Sequence, residues 1–117
     1  MMAAQPALRT ADGGPRFLLV TGDSMVPTLR PGDLVAVAPV AAWRGEGIYL
    51  LDTGAGPELF RCALDFAGGI VIHRDNPAYL AVTVPVERFA ESIRGQVCAL
   101  VHVVDAALLA DSRRDGG

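Results

Sequence analysis

Short apolar runs separated by turn residues organise this chain. Arg16–Val20 (RFLLV) predicts a first strand, and Leu34–Val40 (LVAVAPV) a second. Gly47–Leu51, Glu58–Phe66, Ile70–His73, Leu80–Val84 and Ser92–His102 read as further strands. Turn chemistry lies between them. Thr21-Gly22-Asp23, Pro27 to Asp33, Asp52 to Pro57, Ala67-Gly68-Gly69 and Arg74 to Tyr79 are rich in Gly, Pro, Asn and Asp. Gly supplies unusual φ, Pro fixes φ, and Asp or Asn bonds nearby backbone. Helical spacing of apolar residues is almost absent, and Asp105–Asp111 is the one short helix expected. Such a pattern predicts a mainly β domain, built as coiled antiparallel sheets or a partly closed barrel. Residues 1–15 read as a loose arm, 16–105 as the domain, and 106–117 as a short helix or polar tail.

Composition narrows the function. A chain of 117 residues that is 51% hydrophobic can bury a core as one domain. Its formal charge of −3 argues against a broad nucleic-acid surface, which needs clustered positive charge. All ten basic residues are Arg; the chain has no lysine. That removes one class of catalytic base. Cys62 and Cys98 both sit in apolar surroundings, which predicts two buried small hydrophobes rather than a disulfide. Their spacing fits no metal motif, and no cofactor is expected. Met1 to Arg16 lacks the basic and apolar regions of a signal peptide, and no run is long enough for a membrane span. A cytoplasmic location, with no membrane partner, is the expectation.

The candidate chemistry lies in Val20–Val37, VTGDSMVPTLRPGDLVAV. Gly22, Asp23, Ser24, Met25, Pro27, Leu29, Gly32, Asp33 and Leu34 follow one another in the order of a nucleophile motif. This stretch resembles that of the LexA-like serine peptidases, the family of LexA and phage repressor C-terminal domains, UmuD-type proteins and, more distantly, signal peptidases. GIYLL from Gly47, RDNPAY from Arg74 and IRGQV from Ile93 resemble further segments of the family, so the likeness spans about Phe17 to Val104. It implies a coiled, mainly β fold with Ser24 as nucleophile. It also implies a lysine general base, because a serine hydroxyl attacks only once a neighbour takes its proton. Burial lets a lysine do this by lowering its pKa.

In the register of the resemblance, ELFRCAL places Phe60 at the apolar position, Arg61 at the lysine position and Cys62 at that of the usual arginine. Arginine stays protonated, with pKa above about 12, and offers only donors. Arg61 is therefore expected to point toward Ser24 without serving as its base. His73 or His102 could accept a proton in principle. Each is expected as a structural or surface histidine, with His73 held as the alternative base.

The remaining motif residues have plainer expected roles. Asp23 holds its turn and lines the cleft. Met25 packs inward and lines the cleft. Gly32-Asp33 and Asn76-Pro77 are turns, Tyr79 packs, and Trp43 is a partly buried loop aromatic or a contact surface. Only twenty-three residues precede Ser24 in this sequence, so no DNA-binding domain is expected, and Gly13-Gly14 lies too close for self-cleavage. Three functions stay open. One is an impaired peptidase domain that binds a peptide or protein segment or forms a homodimer. The second is an active peptidase with another base, and the third is a purely structural interaction module.

Overall fold

The computed structural model describes residues 14–115, with side chains described to residue 111. The arm expected at residues 1–15 therefore lies outside the described residues except for Gly14 and Pro15. Nine elements follow in order. They are β1 (Arg16–Leu19), β2 (Leu34–Ala38), β3 (Gly47–Asp52), β4 (Pro57–Leu64), β5 (Ile70–His73), β6 (Val82–Val84), α1 (Val86–Ser92), β7 (Ile93–Val101) and α2 (Ala106–Asp115). The seven strands form one antiparallel sheet in the order β1-β2-β7-β3-β4-β5-β6, open between β1 and β6. The protein is mainly β, and no helix among the described residues is long and apolar enough to cross a membrane.

Side chains alternate between the two faces of a strand, so each face gathers its own core. One face carries Val35, Val37 and Leu50, closed over by Val20, Met25 and Leu29 from the segment around Ser24. The other carries Tyr49, Leu51, Phe60, Cys62, Ile70 and Ile72, closed over by Phe89 and Ile93. Trp43 packs against this second cluster. It stacks on Tyr49 at 5.4 Å between ring centres and meets Phe89 edge-on at 5.4 Å. The expected loop aromatic is thus partly buried.

α1 is the element that strand reading misses. Pro85 has no N–H to continue a ladder, and its carbonyl accepts the first helical bond, from Phe89 N at 3.1 Å. Val86, Phe89 and Ile93 then recur at helical spacing, and Phe89 is fully buried. α1 takes Ser92, so the strand expected over Ser92–His102 begins one residue later; that expected over Leu80–Val84 is limited to β6, without Leu80 and Ala81. The cysteines correct another expectation. Cys62 is buried, but Cys98 is exposed, and both thiols are free. The register of β2 on β7 shifts between Ala36 and Val37: Ala36 opposes Ala99, whereas Val37 opposes Val97.

 Cys98 is the extra residue of that bulge, and a bulge re-aims its side chain out of the packed row.

Gly95 shows why IRGQV needs its glycine. β7 runs between β2 and β3, and at Gly95 the backbones come very close. A Cβ there would stand 2.5 Å from Val37 Cγ1 and 2.7 Å from the Ala38 carbonyl oxygen. The second contact is with backbone, which cannot swing aside. Gly95→Ala is expected to destabilise the fold by about 1–3 kcal/mol, the usual scale of overpacking, as read from the urea unfolding midpoint.

Candidate active site around Ser24

The segment from Thr21 to Gly32 is a loop joining β1 to β2, and its base is closed by main-chain bonds. Val20 N donates to the Asp33 carbonyl and Gly32 N to the Val20 carbonyl, both at 2.8 Å. Gly32 makes that close with φ near +97°, a conformation that L side chains rarely adopt. Within the loop Val26 N bonds the Asp23 carbonyl at 3.1 Å, and Leu29 N bonds the Met25 carbonyl at 2.9 Å. Met25 and Leu29 drop into the core, 2% and 1% exposed. Ser24 is held half-buried between an exposed Asp23 and a buried Met25.

A second turn grips this loop from the side. Asn76 N donates to the Ser24 carbonyl at 2.9 Å, and Asn76 Nδ2 donates to the Asp23 carbonyl at 3.0 Å. The Tyr79 hydroxyl donates to Asp23 Oδ1 at 2.9 Å. That bond and the Asp23 charge both raise the Tyr79 pKa, since each favours the protonated phenol. The RDNPAY segment is therefore more than a turn: three of its bonds fix the backbone and flank of the serine.

Arg61 reaches the same turn. It leaves β4 on the face of Leu59, two residues earlier, and Leu59 packs on the Met25 and Leu29 cluster. Its guanidinium grips Asp75 with both prongs, Nε to Oδ1 at 2.9 Å and Nη2 to Oδ2 at 2.8 Å. The Arg61 hydrogen bonds hold the Asp75 carboxyl below its ordinary pKa, against the opposing effect of burial; Thr28 and His73 assist. The same bonds raise the Arg61 pKa further. His73 stands directly across from Arg61 on β5 and so shares its face. Its Nδ1 lies 3.3 Å from the Arg74 carbonyl oxygen.

His102 lies elsewhere, against Asp33. Asp33 Oδ2 accepts from Arg30 N at 3.0 Å, and Oδ1 accepts from Val103 N at 3.2 Å. His102 Nδ1 is 2.9 Å from Oδ1. A carboxylate only accepts, so Nδ1 carries the proton. These donors, the Arg30 amide foremost, keep the Asp33 carboxyl below its ordinary pKa. Asp33 is thus a buried anchor between the serine loop and the chain leaving β7, beyond the simple turn its sequence suggests.

Beside Ser24 lies a groove of about 230 Å³. Leu18, Val20, Met25, Leu50 and Leu59 give it an apolar lining, and Ser24, Thr21 and Glu58 give it polar points. It runs between the end of β1 and the start of β4. Of the four residues singled out from the sequence, Ser24 and Met25 line it, while Asp23 and Arg61 do not belong to its lining. The contributions of Asp75, Asn76 and Tyr79 were hidden because they depend on a loop folding back across fifty residues. The Asn-Pro step marked the place without revealing the bonds. Among the described residues no cluster of three His, Cys, Asp or Glu could hold a metal ion.

An antiparallel, mainly β sheet that carries a serine loop over an apolar groove has the form of a serine-peptidase-like domain. The family model described as Peptidase S24-like matches residues 4–98, and the chain belongs to that family, consistent with the LexA-like serine peptidases. A search of curated proteins finds no match.

The lowered pKa of Asp75 gives its pairing a pH signature. A carboxylate with a depressed folded-state pKa stabilises the fold above its unfolded value, and that contribution fades as pH falls through the folded value. Asp75→Asn is expected to unfold at lower urea than wild type at pH 7. The gap is expected to shrink once the pH drops below about 4, the ordinary Asp value. Urea midpoints of both proteins across pH check this.

Proposed function

We propose that this protein is a peptide-binding domain of the Peptidase S24-like family that holds a protein segment beside Ser24 without turning it over efficiently. One observation carries this reading: Arg61, which the resemblance puts at the lysine position, is doubly bonded to Asp75. A guanidinium in that state offers Ser24 no acceptor, and raising the pH does not free one. General-base help is worth about 10² to 10⁴ in rate, so its loss leaves at most faint turnover. Arg61 contributes instead as a brace, tying β4 to the turn that grips the serine loop.

The groove supports binding of an extended segment. β1 is an edge strand with an unpaired side, so a peptide can add to it through main-chain bonds. Side chains on alternate residues would then enter the apolar lining of Leu18, Met25 and Leu59. Glu58 on the rim disfavours an acidic residue there.

The second reading, an active peptidase using His73, draws on the position of His73 opposite Arg61. Labelling with a fluorophosphonate probe separates the two. Wild type is expected to label no faster than Ser24→Ala. A random peptide display library is expected to yield apolar alternating sequences that bind wild type and lose binding to Leu59→Asp. Rapid labelling or peptide cleavage that disappears in both Ser24→Ala and His73→Ala would establish the second reading and end the first.

A further inference from the structure

A second and larger groove lies on the face of the sheet opposite the serine loop. Its volume is about 760 Å³, against about 230 Å³ beside Ser24. That falls in the usual range for ligand sites, about 300–1,000 Å³. Phe60 of β4 and Ile72 of β5 form its buried floor, Val82 and Val84 of β6 its apolar side, and Arg88 of α1 borders it. Phe60, Ile72 and Val84 belong to the cluster that α1 closes, whereas the serine loop packs on the other cluster. The two grooves share no lining residue.

The lining has a fixed repeat. Val82 and Val84 stand two residues apart on one strand, about 7 Å by the strand rise. Val84 pairs with Ile70 and Val82 with Ile72. Arg74 follows Ile72 by two residues and continues the same face, with its guanidinium 4.6 Å from the centre of the Phe60 ring. Along β5 and β6 the groove thus offers an apolar, a second apolar and then a cationic position. The Arg74 head group is only partly used. Nη2 donates to Glu58 Oε1 at 2.9 Å, while Nε is buried with no hydrogen-bond partner among the described residues. Arg88 is exposed and forms no ion pair among them. Of the two carboxylates on the rim, Asp52 already accepts from Gly54 N at 2.9 Å, and Glu91 pairs with neither arginine.

We infer that this groove binds an extended peptide segment in which two apolar side chains, two residues apart, are followed two residues on by a carboxylate. Alternate side chains of an extended peptide repeat at the same spacing as those of the strand they lie along. The apolar pair settles against Val84 and Val82, and the carboxylate reaches Arg74, with Arg88 adding charge from the helix side. A guanidinium only donates and a carboxylate only accepts, so the two match, whereas a basic side chain meets like charge. Val82 is 54% exposed, and Pro85 and Arg88 are exposed, which leaves the groove open to a chain that enters and leaves it. β6 also ends the sheet, so a segment lying along it can bond the free main-chain edge. Nothing in this inference requires a peptide beside Ser24.

Two peptides test this, Leu-Ser-Leu-Ser-Glu and its reverse, each acetylated and amidated so that no terminal charge competes. Titrated into the full chain and followed by methyl NMR, at least one is expected to bind with Kd between about 10 µM and about 1 mM. The methyl signals of Ile72, Val82 and Val84 are expected to move, and those of Leu18 and Leu59 to stay, a measurement that needs no variant to fold. Replacing the peptide's Glu by Gln is expected to weaken binding at least about tenfold, as loss of a charged hydrogen bond does. Arg74→Gln is expected to do the same, and Arg88→Ala, at an exposed site, to weaken binding about threefold or more. Arg16→Ala removes the same charge from β1, at the other end of the sheet, and is expected to change nothing. No binding by either peptide up to about 2 mM, or equal binding of the Gln version, overturns the inference. So do the same methyl shifts on concentrating the protein alone, since a second copy then fills the groove. Shifts at Leu18 and Leu59 instead would put the peptide beside Ser24, ending this inference while supporting the proposed function.

Discussion

The double hydrogen bond between Arg61 and Asp75 joins β4 to the turn after β5, and that turn holds the serine loop through Asn76 and Tyr79. Serine presentation therefore depends on a charged pair two steps away from the hydroxyl. The pair is partly exposed, with Asp75 the more buried partner. Its value lies less in bulk stability than in geometry, because a planar fork gripping a carboxylate fixes direction as well as distance. A lysine at the same place would bring a point charge on a flexible stem. Arginine supplies a rigid strut.

Much of the fold was legible because strands announce themselves locally. Ile70–His73 has the same limits in sequence and structure, and Leu34 and Gly47 start strands where turn residues end. α1 was not legible as a helix, because its seven residues hold only two large apolar side chains, Val86 and Phe89, before Ile93, and a proline precedes them. Cys98 read as buried because its neighbours are apolar, but a one-residue bulge reverses the face a side chain occupies. Sequence shows composition at such a point and conceals register.

The candidate site divides the same way. Ser24 and Met25 were marked by a contiguous motif, and the missing lysine needed only a count. Asp75 and Tyr79 act through contacts spanning the chain, and neither residue type signals such a role by itself. Asp33 looked like one more turn aspartate. Its burial follows from β7 ending beside the β1–β2 connection, a fact of topology rather than of local pattern.

The serine loop also bears on how such motifs persist. Met25 and Leu29 fill the core, Gly32 adopts a backbone shape few residues tolerate, Asp33 anchors two segments, and Asp23 is held by Asn76 and Tyr79. Ser24 contributes its main-chain carbonyl, which accepts from Asn76 N at 2.9 Å. Nearly every letter of the motif thus answers to folding, and a lineage that abandons the chemistry would still be penalised for changing them. The signature is a record of architecture, and it can outlast the reaction for which it is known.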